Sequence, residues 1–444
     1  MDNLTLLINR LIAPLEWVML ILIIGGGVFL FFHSKGFPLK KVRKGFSLLL
    51  KKNSEKGISR FEALSAVLAS TVGLGNISGV AIAIHMGGPG VLVWMWITAL
   101  LGCVIKFYSC TLSVKLRKKE LNGDPLGGPM YYMTMGMPRY GKFFANWFCV
   151  AALFGVLPAF TANQLTQTIV QVIYPPVTSA VDSLIYKGSF GLLLILVSGW
   201  VILGGLKKIV KITSKLVPLM VILYLLMGGW VVLDNITQIP YVLKTIIFSA
   251  FDFKTMYVGG FWGLVLLGIR RAVFSNESGI GNAPMYHGQS QTKNSVNEGL
   301  VASLGPILDT ILVCSITGVV IITSGSYLDS KLNGILLTLD SFNRLFYGLG
   351  DKFLVFMVIV FGITTLFTYS YYGVKCLDFL TKKKYGFIYN YVYLVSIFFS
   401  AISSVNFVIS LIDLSFALMA IPNMISVIYL SKIVKKEIVK IGSS

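Results

Sequence analysis

The chain has 444 residues, 55% of them hydrophobic and only 13% charged, with a mean hydropathy of +0.79. Soluble domains carry about 25% charged residues, so this composition excludes a soluble enzyme of several domains and points to one polytopic membrane bundle. The net charge of +20 would suggest a nucleic-acid partner in a soluble protein; in a membrane protein it concerns sidedness and anionic lipid, and no nucleic acid is expected.

Hydropathy predicts an all-α protein with eleven transmembrane helices: 17–33, 61–85, 89–114, 143–173, 188–206, 210–233, 258–286, 295–325, 353–377, 386–406 and 408–431. The first is read as a retained, peripheral helix. Only Arg10 precedes it, no small-residue cleavage site follows, and the basic cluster comes after the apolar run. The whole of 1–444 reads as a single transmembrane transporter domain, with 61–233 and 258–431 as two repeats.

Alternate loops hold 28 of the 38 Lys and Arg, and the opposite set holds seven: Arg10, Lys187, Lys244, Lys254, Lys331, Arg344 and Lys352. That bias predicts a cell-membrane protein with its N-terminus outside and its C-terminus in the cytoplasm. The five cysteines and three histidines are scattered without metal-ligand spacing, so no metal cofactor is expected.

The second span is interrupted by Thr71-Val72-Gly73-Leu74-Gly75-Asn76. The seventh carries a longer polar stretch, from Gly268-Ile269-Arg270-Arg271 through Phe274-Ser275-Asn276-Glu277 to Asn282. Spans 2–6 and 7–11 thus form two sets of five, each opening on a broken helix. Five is odd, so equivalent helices run oppositely, which predicts an inverted repeat with a site between the breaks. Unwound backbone at membrane depth is tolerated where protein or water satisfies it. It also offers N–H groups to a carboxylate and carbonyls to a cation. The alternative is that the glycines are helix-packing contacts, as small residues often are in membranes.

Several stretches resemble the alanine/glycine:cation symporters, the sodium:alanine symporter family: FEALSAVLASTVGLGNISGVAIAIHMGGPG (61–90), VWMWITALLG (93–102), GGPMYYM (127–133), FSNESGIGNAP (274–284), EGLVASLGPILDTILVC (298–314) and SYYGVKC (370–376). VGLGN at 72–76 also looks like the unwound first core helix of the neurotransmitter:sodium symporters. The resemblance implies the five-plus-five fold of the amino-acid–polyamine–cation superfamily with one peripheral helix. It implies import of a small neutral amino acid, alanine or glycine, with Na⁺ as coupling ion, no covalent chemistry and no cofactor.

On that reading, backbone around Gly73, Leu74 and Gly75 meets the substrate carboxylate, and Asn76 with Phe274, Ser275 and Asn276 forms the opposite wall. Asn76 could equally cap the second half-helix. Gln164 matches a pocket-lining glutamine of the family, and Tyr369 stands where the family has a tryptophan. The resemblance suggests a Na⁺ site from the carbonyls of Ala69, Val72 and Phe361 and the hydroxyls of Thr364 and Thr365, against the alternative that these threonines bond back into their own helix.

The chain departs from the family at Leu74, Ala272, Thr161 and Tyr369, all near the expected pocket. A larger neutral amino acid such as glutamine or serine therefore stays in view, as does proton coupling through Asp309 or Glu277. Four charges lie at depth: Arg270, Arg271, Glu277 and Asp309. Buried charges need partners, so at least one arginine is expected to pair with Glu277 or Asp309 as a clasp or gate. Lys106 is expected to snorkel toward the cytoplasm. A channel, a membrane-embedded enzyme and an ATP-driven pump are disfavoured: the two breaks are not alike, no nucleophile–base pair is present, and neither is a P-loop. No second protein partner is evident, so a monomer in the bilayer is expected.

Overall fold

The computed structural model describes residues 12–49, 58–119, 125–172, 180–251, 260–346 and 348–442. Arg10, Lys254 and the outermost residues of expected spans 143–173 and 258–286 lie outside the described residues.

Almost all of it is helix. In chain order, α1 is Ile12–His33, α2 Arg60–Thr71, α3 Gly75–Gly87, α4 Val91–Lys115, α5 Gly141–Val172, α6 Val181–Ile202 and α7 Gly205–Asp234. Then come α8 Gly260–Asn276, α9 Ala283–His287, α10 Ser295–Ser324, α11 Ile335–Leu345, α12 Gly350–Leu380, α13 Ile388–Ile402, α14 Val405–Tyr429 and α15 Ser431–Gly442. Among the described residues, eight helices are long and apolar enough to cross a membrane, or nine if the bent pair α2–α3 counts as one span. Helices α8 and α13 are shorter, at 17 and 15 residues. Among the described residues one strand pair forms, β1 (Lys118–Lys119) against β2 (Pro125–Leu126), antiparallel, with Lys118 opposite Leu126.

Burial sorts the helices into an inside and an outside. In the most apolar 18-residue windows of α4 and α12, 67% of residues are buried, against 33% for α1 and α6. Helix α6 turns Leu192, Leu193, Leu196 and Trp200 outward. For a soluble protein such a face would be a liability; against acyl chains it is what the lipid requires. Helix α4 packs on α8 and α10, α7 on α2, and α14 on the first half of α5. The polar residues follow suit: Asn76, Thr98, Ser275, Asn276, Asp309, Thr310 and Thr364 are all buried at the centre.

The chain begins α2 with a capping box, Ser59 and Glu62 each bonding the other's backbone N–H. That fixes where the first broken helix enters the bundle.

Candidate functional site

The first break is short. Helix α2 stops at Thr71, Val72 leaves the helical region (φ −75°, ψ 89°), and helix resumes at Gly75 after a 51° bend. The residues after the bend, Gly75–Gly79, wind as a π-helical turn, a form that recurs at functional sites. Asn76 closes the gap: its Oδ1 accepts from the Gly73 N–H at 3.0 Å. Asn76 therefore caps backbone freed by the break, and its other end does more. Its Nδ2 donates to Asp309 Oδ1 at 2.6 Å.

Asp309 is the hub. It sits on a second π-helical stretch, Ile307–Cys314, within α10 and is fully buried. Its other carboxylate oxygen accepts from Ser275 Oγ at 2.6 Å and Thr310 Oγ1 at 2.8 Å. Asn276 Nδ2 donates to Thr310 Oγ1 at 3.0 Å, and Asn276 Oδ1 accepts from the Ser278 N–H at 3.0 Å. One carboxylate thus ties the first break, the end of α8 and α10 into a single polar cluster. A buried charge is tolerated when its oxygens are hydrogen-bonded in this way.

The second break falls later than the sequence suggests. Helix α8 runs without interruption through Gly268, Arg270, Arg271 and Phe274 to Asn276, and the break is confined to 277–282, before α9. Gly268 is a packing glycine, lodged against Trp94 of α4. Within the break, Glu277 (φ 54°), Gly279 (φ 86°) and Gly281 (φ 106°) take left-handed conformations. At Gly281 a Cβ would also lie 2.7 Å from the Phe148 ring, so glycine is required twice over. Asn423 of α14 steadies the break by donating to the Gly279 carbonyl at 2.7 Å, and is itself held by the Tyr132 hydroxyl.

Glu277 is buried and accepts from the Tyr369 hydroxyl of α12. Lys106 of α4 lies within electrostatic reach of both Glu277 and Asp309, with Gly305 leaving room beside its ammonium. Only 1% of Lys106 is exposed, so it does not snorkel; helices on both sides enclose it.

The expected arginine pairing is also corrected. Arg270 pairs with Glu16 of α1 and reaches Asp413 of α14 at 3.9 Å, while Arg271 meets Asp413 at 3.5 Å. Because α8 stays helical, both guanidiniums rise a turn or more above Glu277, on the α1 and α14 side. Neither Glu16 nor Asp413 had been singled out from the sequence. Asp413 is signalled only as an isolated acid in an apolar run, and Glu16 as the residue before Trp17.

The threonines of α12 divide. Thr365 Oγ1 donates to the Ala69 carbonyl at 3.0 Å and lies 2.9 Å from that of Phe361. Thr364 Oγ1 bonds to the Val360 and Phe361 carbonyls, each at 3.0 Å, with Met220 Sδ at 3.6 Å. Ala69, Phe361 and Thr365 are thus together, Thr364 shares the Phe361 carbonyl from the α7 side, and Val72 follows within the break. All the donors are hard oxygens, the set a small hard cation takes.

A small cavity opens against the first break, lined by Gly73, Leu74, Gly75, Phe160, Thr161, Phe274, Thr365 and Tyr369 among others. Its aromatic side is built from Phe160 edge-on to Phe274 (centroids 4.8 Å) and Phe274 beside Phe416 (6.0 Å). Gln164 is not on its wall. It lines a larger cavity with Gln167, Arg270, Arg271 and Asn333, and its Oε1 accepts from Ser78 at 2.6 Å.

At the other ends of the broken helices lies a network the sequence reading missed. Arg60 at the start of α2 donates to Thr292 at 2.7 Å and stands 3.6 Å from Glu298. Glu298 also takes His287 Nδ1 at 2.7 Å and Ser290 at 2.9 Å.

With this geometry in hand, the resemblances become informative. The family model described as the sodium:alanine symporter family matches residues 1–441. The sodium/alanine symporter AgcS of Methanococcus maripaludis is 36% identical over 433 residues, covering 94% of this chain and 93% of that one. The probable sodium/glutamine symporter GlnT of Bacillus subtilis is 34% identical over 428 residues, covering 94% and 86%. Among solved structures, MhsT in complex with L-phenylalanine is similar, with a TM-score of 0.57 at 16% identity over 83% of this chain and 89% of that one.

Proposed function

Because the chain belongs to the sodium:alanine symporter family and is a transporter rather than an enzyme, we propose that it imports alanine or glycine together with Na⁺ by alternating access. Family membership supports Na⁺-coupled amino-acid symport. One observation carries the proposal: Asn76 spans the first break and, through Asp309 and Ser275, is joined to the end of α8 just before the second.

In the proposed mechanism the substrate lies in the cavity beside Gly73–Gly75. Free N–H groups at the start of α3 meet its carboxylate, an arrangement the positive end of a helix favours. Phe160, Phe274 and Tyr369 limit the length of its side chain, while Asn76, Ser275 and Asn276, which are not on the cavity wall, brace the backbone behind it through Asp309 and Thr310. Na⁺ is held by the carbonyls of Ala69, Val72 and Phe361 and the hydroxyls of Thr364 and Thr365, bridging α2 and α12. Such an ion stabilises whichever state keeps those helices together, and that is how a gradient biases the cycle. Asp309, Glu277 and Lys106 form the charged floor; Arg270 and Arg271 belong to the opposite closure. The fold proposed for this cycle has eleven spans, in a five-plus-five inverted repeat with α1 peripheral. The N-terminus is outside, the C-terminus is cytoplasmic, and the chain acts as a monomer in the cell membrane.

A second reading has its own support. The similarity to a sodium/glutamine symporter and the tyrosine at 369 favour a larger neutral amino acid, and the buried Glu277 and Asp309 favour proton coupling. Uptake into proteoliposomes of labelled alanine, glycine, serine and glutamine, driven in turn by Na⁺ and H⁺ gradients, separates these. Alanine accumulation that needs the Na⁺ gradient supports the proposal; glutamine preference, or accumulation driven by H⁺ alone, replaces it.

A further inference from the structure

We infer that Glu16 makes α1 the latch of the gate above the substrate cavity, a role that rests on the transport reading but not on which amino acid is carried. Four charged groups from three helices meet there: Glu16 of α1, Arg270 and Arg271 of α8, and Asp413 of α14. Two arginines and two acids balance, so the cluster is neutral as a whole.

The division of partners matters more than the sum. Asp413 is within reach of both guanidiniums, at 3.5 Å from Arg271 and 3.9 Å from Arg270. Glu16 takes Arg270 and so leaves Asp413 to Arg271, the more deeply buried of the two at 3% exposure. Without Glu16, Asp413 is the carboxylate left to Arg270 among the described residues, and the two arginines compete for it.

The cluster lies between the two cavities. The larger cavity reaches Arg270 and Arg271 from one side. A narrow gap beside them is lined by Glu16, Met19, Arg270, Asp413, Phe274 and Phe416 among others. Phe274 and Phe416 are also walls of the cavity at the first break. The clasp and the two rings thus stand between the large cavity and the small one. Helix α1 is held at a second point, since Ile23 packs against Gly279 in the second break, where an added Cβ would lie 3.2 Å away. A helix at the edge of the bundle thus touches both the clasp and a break.

The test uses the full-length protein in proteoliposomes with a cysteine introduced below the clasp by Ile412→Cys, a position lining the small cavity. The five native cysteines are buried. A membrane-impermeant thiol reagent is applied to each face in turn, and melting temperature is recorded as the control for folding. Glu16→Gln should raise the labelling rate from the clasp side by about fivefold or more without a matching loss of melting temperature, the size expected for losing one ion pair in a two-state gate. Adding Arg270→Gln to Glu16→Gln should raise the rate no further and should lower it, because Arg271 then has Asp413 to itself. Labelling unchanged by Glu16→Gln overturns the inference, as does a double variant that labels faster than Glu16→Gln alone. If Glu16→Gln fails to fold, Glu16→Asp is read instead: faster labelling upholds the latch and unchanged labelling overturns it. Because labelling needs no substrate, a protein that labels as expected yet carries no alanine upholds the latch and rejects the alanine reading.

Discussion

The two breaks solve the same problem with opposite means. The first is three residues long and is closed locally, by the side chain of Asn76 on the N–H of Gly73. The second is six residues long, holds three left-handed residues and a buried glutamate, and adds to its own Asn276–Ser278 bond the support of other helices: Asn423 on the Gly279 carbonyl and Tyr369 on Glu277. A break closed from within leaves backbone groups that a ligand can satisfy, whereas a break held from outside reports the positions of its neighbours. The first therefore suits binding and the second suits coupling to helix movement, and Asp309 is the group that joins them.

The largest expected effect comes from cutting that joint. Asp309→Ala leaves Asn76, Ser275 and Thr310 without their acceptor. Bonds to a charged group are worth about 1.5–3 kcal/mol each, so alanine uptake in proteoliposomes should fall by about 100-fold or more, with a lower melting temperature. Uptake within a few-fold of the unaltered protein would separate the two breaks energetically.

Next comes the second break. Gly281→Ala forces a Cβ onto a φ of 106° and into the Phe148 ring. It should cost about 2–3 kcal/mol in stability, in line with strained backbone plus overpacking, seen as a lower melting temperature. A stability matching the parent would mean that the left-handed geometry is not needed.

The first break should respond in binding rather than in stability. Gly73→Ala sets a Cβ 2.7 Å from Thr365 Oγ1, so the Na⁺ concentration for half-maximal uptake should rise about tenfold, a shift of about 1.4 kcal/mol. A comparable drop in melting temperature with unchanged Na⁺ dependence would make Gly73 a packing glycine. The smallest effect is expected from Tyr369→Phe, which removes a single hydroxyl from Glu277. Uptake should change only a few-fold, since one hydrogen bond is worth about 1 kcal/mol net.

These contrasts also mark what the sequence could carry. The first break was legible because glycines and an asparagine together interrupt a run otherwise apolar enough to span the bilayer, and the helix bends there by 51°. Gly268 misled, because a packing glycine and a helix-breaking glycine look alike until Trp94 is seen against it. Pairings across the bundle were not legible at all. Arg270 with Glu16 spans 254 positions and Arg271 with Asp413 spans 142, and no local pattern announces such partners. Lys106 read as a helix-end residue because hydropathy gives depth along a helix but not which neighbours cover it. Gln164 was legible as a buried polar residue, yet only the three-dimensional arrangement separates the cavity it lines from the one at Gly73–Gly75.

The most direct test is labelled-alanine uptake by the purified protein at fixed pH with an inward Na⁺ gradient, compared with Thr365→Ala under the same conditions. The account predicts concentrative uptake that collapses when the gradient is dissipated and Na⁺ dependence that is lost in Thr365→Ala. Uptake indifferent to Na⁺, or a Thr365→Ala protein that responds to Na⁺ as the parent does, would contradict it.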